Sequence, residues 1–164
     1  MKIKSPRGIG IVVCVAALLA GAATLGAAGC SCAPVDVSTM LKQADAVFAG
    51  RVIGLELVPR LNADPTVSHA TEDLQVKVAV SSCWKGIVRV ETTLYTMFTC
   101  CLCGFHFEIG EMYLIYAESV DGELRTSICS RTRLLSDASD DLVVLGVSRP
   151  ILRTEPEACQ EEKQ

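Results

Sequence analysis

Cys30-Ser31-Cys32 is the stretch of this 164-residue chain whose residue types and position offer the most chemistry. A cysteine that begins a chain and is held by a disulfide presents two donors, its α-amine and its carbonyl oxygen, spaced to chelate one metal ion. With a pKa of about 7.7–8.0 the amine is partly neutral near pH 7, and a zinc ion displaces the remaining proton. The chemistry requires that the chain start at Cys30.

The competing constellations are weaker. Cys100-Cys101-x-Cys103, with Cys83 or His106, places soft thiolates at a spacing that suits zinc or copper(I). An exported protein uses such cysteines as disulfides instead. His106 lies between Phe105 and Phe107 and reads as a packing or surface residue, and His69 has no partner in sequence. Asp137, Asp140 and Asp141 read as charge at a helix N-terminus rather than as a calcium site. There is no G-x-S-x-G, H-E-x-x-H or phosphate-binding glycine loop, and only two histidines to serve as a base. The chain is expected to be neither an enzyme nor a holder of a cofactor or resident metal.

What precedes Cys30 looks like an export signal spanning residues 1–29. Lys2, Lys4 and Arg7 form a positive start, Ile9 to Leu25 is apolar without a charge, and Ala27-Ala28-Gly29 offers small residues for cleavage. Ala27-Ala28-Gly29-Cys30 is also a passable lipobox, and lipidation would cap the amine and consume the thiol. Parity argues against that. Of nine cysteines, Cys14 leaves with the signal and eight remain, an even number that fits four disulfides. The expected protein is therefore secreted, with a lipid-anchored envelope protein as the alternative. Cleavage leaves 135 residues with 12 basic and 19 acidic side chains, a net charge of −7. An acidic monomer of this size disfavours nucleic acid, and no membrane contact is expected unless Cys30 is lipidated.

The elements that must position Cys30 read mainly as strands. Ser38 is placed to cap a short helix through Met40, Leu41 and Ala44, after which Ala46 opens an extended run towards Leu57. Pro59, Asn62, Asp64 and Pro65 make 57–69 a long loop, which offers a second contact surface. Leu74, Val76, Val78 and Val80 alternate with polar residues, Trp84-Lys85-Gly86 turns the chain, and Val88 to Phe98 is a further strand. Met112 to Ala117 is apolar enough to be covered on both faces, and Asp121-Gly122 makes a hairpin to Leu124–Cys129. Ser136 is placed to cap a second helix closed by Gly146, and residues 148–164 read as a loose acidic tail. Five strands and two small helices suggest a small closed barrel over 30–147, which periodicity cannot distinguish from a sandwich.

Five segments occur in an order that carries a resemblance: Cys30-Ser31-Cys32-Ala33-Pro34-Val35, Ala44-Asp45-Ala46-Val47, Trp84-Lys85-Gly86, Cys103-Gly104-Phe105 and Thr126-Ser127-Ile128-Cys129-Ser130. Over 30–130 the chain resembles the N-terminal domain of tissue inhibitors of metalloproteinases, itself similar to netrin-like modules. The resemblance implies a five-stranded barrel of the oligonucleotide/oligosaccharide-binding type, stapled by Cys30–Cys103 and Cys32–Cys129. It also implies a zinc metalloendopeptidase as partner, chelated in trans by Cys30. Ser31 would enter the specificity pocket, and Cys32, Ala33, Pro34 and Val35 would extend the contact. A non-inhibitory netrin-like binding module is the other function compatible with this likeness. The sequence departs from the family where Leu41 or Lys42 replaces the first cysteine of the usual third disulfide, and no counterpart of the animal inhibitors' separate cysteine-rich C-terminal domain is expected. Cys83, Cys100, Cys101 and Cys159 are additions, with Cys83 paired to Cys100 or Cys101 and the remaining one to Cys159.

Overall fold

The computed structural model describes residues 30–60, 72–86, 88–98 and 103–150. Five strands close on themselves: β1 (Ala46–Pro59), β2 (Glu72–Lys85), β3 (Glu91–Met97), β4 (Met112–Val120) and β5 (Glu123–Arg125). The order around the ring is β1-β2-β3-β5-β4, and β4 returns to β1 with Ala46 opposite Ala117 and Arg51 opposite Met112. All neighbours are antiparallel except β3 and β5, which run parallel with Tyr95 beside Arg125. Closure answers the question that periodicity left open, because a sandwich would not join β1 to β4 in this way. The closure is narrowest between β3 and β5, which share a single pair among the described residues.

β1 can reach two partners because it bends. Its ladder with β2 shifts register at Val47/Phe48, Ala49/Gly50 and Val52/Gly54, and such bulges coil a long strand. Two short strands complete the sheet, β6 (Arg133–Leu134) on β4 and β7 (Arg149–Pro150) on β2. Pairing therefore continues two residues past 148, into the stretch expected to be a loose tail, while the rest of that tail, 151–164, lies outside the described residues.

The five-residue buried run of β4 explains the two cores. Tyr113, Ile115 and Ala117 point into the barrel with Phe48, Val52, Val76, Val78, Leu94 and Phe107. Leu114 and Tyr116 point outward, beneath α1 (Val37–Gln43) and α2 (Ser139–Leu145), where Met40, Ala44, Val47 and Ala138 cover them. Among the described residues no helix is long and apolar enough to cross a membrane.

Several local expectations change. α1 is capped by Asp36, whose carboxylate accepts from the Thr39 amide at 2.9 Å and the Thr39 hydroxyl at 2.6 Å; Ser38 lies within the first turn. A carboxylate satisfies the orphan amides and complements the positive helix end, which a serine two residues later cannot do. Ser136 does not cap α2 either. Its hydroxyl bonds Asp137 within a 3-10 turn (Leu135–Asp137), and α2 starts at Ser139 without a side-chain cap. β1 runs on through Pro59, paired with Glu72, so 57–59 belong to a strand and only 60 is described beyond it. The strand after the Asp121-Gly122 hairpin stops at Arg125, because the Thr126 hydroxyl turns back to the Tyr116 carbonyl at 2.9 Å.

Trp84 and Lys85 end β2 rather than turning the chain, and only Gly86 lies in the bend. Lys85 Nζ donates to the carbonyls of Leu41 and Lys42 at 2.9 and 3.1 Å, satisfying the last turn of α1. Trp84 Nε1 donates to the Gly146 carbonyl at 3.0 Å, holding the end of α2. Gly86, at φ +84°, passes so close that a Cβ would lie 2.3 Å from the Asp45 carbonyl. Two adjacent residues thus tie both helices to the barrel. Lys85→Met is expected to lower stability by about 1–2 kcal/mol, the worth of charge-assisted bonds to a helix end, measured by urea unfolding with an unchanged m-value.

Candidate functional site

The N-terminal segment lies as a ridge across one end of the barrel. Cys30 is half-buried, Ser31, Cys32, Ala33 and Pro34 are exposed, and Val35 is half-buried. Two disulfides fix its start, Cys30–Cys103 with Cα atoms 5.4 Å apart and Cys32–Cys129 with Cα atoms 5.2 Å apart. These are the pairs that the resemblance implied.

Both anchors sit on loops that the barrel immobilises. Cys103, at φ +60°, follows β3, and a Cβ on Gly104 would meet the Met97 carbonyl at 1.6 Å, so only glycine permits this return past the strand end. The Phe105 amide then donates to the hydroxyl of buried Thr96 at 2.7 Å. Cys129 follows β5 in a turn of hydroxyl residues, where Thr126, Ser130 and Thr132 lie 2.6–3.0 Å from one another. The Ile128 amide donates to the Cys103 carbonyl at 3.0 Å and links the two anchors directly. Beside the ridge runs a groove of about 490 Å³, lined by Ser31, Ala33, Met40, Glu118, Arg125 and Ser127 among others.

The far end of the ridge is held by polar contacts. Arg131 donates to both carboxylate oxygens of Asp141, at 3.0 and 2.8 Å, and to the Val35 carbonyl at 2.5 Å. Asp141 is fully buried and also accepts from the Tyr116 hydroxyl at 2.9 Å, with Arg133 at 3.5 Å. Burial opposes the charge of Asp141, but hydrogen bonds from Arg131 and Tyr116 and the charges of Arg131 and Arg133 outweigh it and hold the carboxyl below its ordinary pKa. Tyr116 moves upward, through burial and then through Asp141. The Arg131 pKa is raised chiefly by its hydrogen bond to Asp141.

A carboxyl depressed in the folded state contributes stability that is full above its unfolded pKa of about 3.9 and is lost as pH falls through the folded value. Thermal unfolding from pH 7 to pH 2 is therefore expected to show a drop in Tm below about pH 4, shallower in Asp141→Asn. An equal slope in both proteins would remove Asp141 from the account.

The other candidates are dispersed. Asp137 and Asp140 are exposed, while Asp141 turns inward, so the three do not form one acidic cluster. His106 is exposed; Phe105 and Phe107 pack with ring centroids 4.7 Å apart, and Phe107 meets Tyr113 at 4.9 Å. Cys83 is buried and disulfide-bonded, whereas Cys100, Cys101 and Cys159 lie outside the described residues, as do residues 61–69 of the expected contact loop. Among the described residues no three His, Cys, Asp or Glu side chains gather as a metal site. Sequence reading missed Arg131, Tyr116 and the inward role of Asp141; Arg131 and Arg133 flanking Thr132 were the available signal, two cations beside a hydroxyl-rich turn.

The family described as tissue inhibitor of metalloproteinase matches residues 28–140, a span that includes the ridge, both anchors and all five barrel strands. Among curated proteins, none matches the sequence.

Proposed function

Because the chain belongs to the tissue inhibitor of metalloproteinase family, we propose that it is an exported inhibitor of a zinc endopeptidase, processed ahead of Cys30 and acting through that residue. Catalytic zinc in such enzymes keeps one coordination position for the hydrolytic water, with three protein ligands holding the others. The Cys30 amine and carbonyl displace that water as a bidentate pair. Ser31 enters the pocket beside the metal, and Cys32, Ala33, Pro34 and Val35 extend the contact along the cleft.

The observation that carries this reading is the double staple. Disulfides at Cys30 and Cys32 hold alternate residues of an exposed segment, so the chelating atoms are ordered before the enzyme arrives. Preorganisation removes part of the ordering cost of association. The protein has no catalytic task of its own in this account; it occupies another protein's metal.

The test is the intact mass and N-terminal sequence of the exported protein, followed by inhibition titrations against zinc endopeptidases. A Cys30 terminus with an unmodified amine and stoichiometric inhibition is expected. An acylated Cys30 would make the protein a lipid-anchored one that cannot chelate, and cleavage elsewhere would leave a netrin-like binding module.

A further inference from the structure

Arg131 occupies an unusual place. It adopts φ +64°, a region that non-glycine residues rarely enter and that recurs where a side chain must be aimed. Its guanidinium is divided between two jobs. Nε and one terminal nitrogen grip the two oxygens of Asp141, and the other terminal nitrogen reaches the Val35 carbonyl, 96 residues away in sequence. A buried ion pair requires only the first of these.

We propose that Arg131 is a positioning residue for the N-terminal ridge, a clamp that fixes the Val35 end as the disulfides fix the Cys30 end. Between Cys32 and the Asp36 cap the chain has only Ala33, Pro34 and Val35, of which Ala33 and Pro34 are exposed. The Val35 side chain packs against the core beneath the helices, and the Arg131 contact to its carbonyl fixes the backbone there, so that these residues do not pivot about Cys32. Asp141 serves as the fixed post. It is fully buried, and Tyr116 of β4 and Arg133 of β6 hold it from the barrel side. Arginine alone suits the task, since its planar fork engages a carboxylate with two N–H groups and still projects a third, whereas lysine carries its donors on one atom.

The functional consequence rests on the inhibitory reading, but the ordering itself does not, and the experiment separates them. In Arg131→Lys the backbone order parameters of Ala33, Val35 and Asp36, from 15N relaxation, are expected to fall from about 0.85 to below about 0.6, the range of a mobile segment. Those of β1 to β4 stay unchanged. Tyr116→Phe, which removes one donor from the post without touching Val35 or the Arg131 backbone, is the structural control and leaves the ridge ordered. Arg133 would not serve, since its Nε donates to the Arg131 carbonyl at 3.2 Å. With an endopeptidase that the unaltered protein inhibits, Arg131→Lys is expected to dissociate about tenfold faster, with association changed less than about twofold. Should the lysine variant not fold, Arg131→Gln keeps a donor for Asp141 without the reach to Val35 and repeats the test.

Unchanged order parameters in Arg131→Lys would overturn the clamp, as would an equal loss in Tyr116→Phe. A mobile ridge with an unchanged dissociation rate would overturn its role in inhibition. If the unaltered protein inhibits no endopeptidase, the inhibitory reading fails, and relaxation still decides whether Arg131 orders the ridge.

Discussion

A protein carrying one extra alanine ahead of Cys30 is expected to inhibit a susceptible zinc endopeptidase at least about a thousandfold less well than the protein that starts at Cys30, a loss of roughly 4 kcal/mol. The added residue converts the amine into an amide, whose nitrogen lone pair is delocalised into the carbonyl and no longer binds a metal. It also places a methyl-bearing residue where the open zinc position would be. Neither change touches the disulfides at Cys30 and Cys32, so the melting temperature should stay within about 1 °C. Side-by-side inhibition constants and thermal unfolding of the two proteins check the outcome. Equal inhibition would mean that the zinc is not bound through the Cys30 amine.

A large loss of stability is expected at Asp141. Asp141→Ala should cost about 3–5 kcal/mol, the range for breaking a buried ion pair from one side. Three groups lose their partner at once. Arg131 and Arg133 face each other without a counter-charge, and the buried Tyr116 hydroxyl loses its acceptor. The side chain of Arg131 retains about a fifth of its exposure, so solvent relieves part of the strain and the lower end of the range is the safer figure. Urea unfolding gives the number directly, and Tm should fall by about 10 °C or more. A loss under about 1 kcal/mol would put the pair among ordinary surface salt bridges and overturn the picture of Asp141 as a fixed post.

Much of the barrel was legible because its signals are local. The covered run Tyr113 to Ala117, the alternation along Leu74 to Val80 and the Asp121-Gly122 turn, with φ of +53° and +83°, all state their structure within a few residues. What was not legible depends on partners far away in the chain. Asp141 looked like helix-end charge because nothing beside it announces Arg131, ten residues earlier, or Tyr116, twenty-five earlier. Lys85 and Trp84 looked like a turn because the carbonyls they satisfy belong to residues 41, 42 and 146. Asp36 and Ser38 both qualify as helix caps, and only the geometry at Thr39 separates them. The cysteine pairs came from family resemblance, since eight cysteines allow about 105 arrangements and no spacing rule selects one.

Both staples of the ridge reach forward along the chain, over 73 and 97 residues, and the ring itself closes only when Ala46 meets Ala117. Synthesis delivers the ridge well before its anchors. Cys30 and Cys32 therefore spend most of synthesis with their final partners not yet made, and contacts this distant in sequence form slowly even after the chain is complete. Each cysteine that emerges before Cys103 and Cys129 is a wrong partner available early. The finished ridge thus joins distant parts of the chain: Cys103 follows β3 and Cys129 follows β5, so the two native pairs lie side by side only when those strands are in their places.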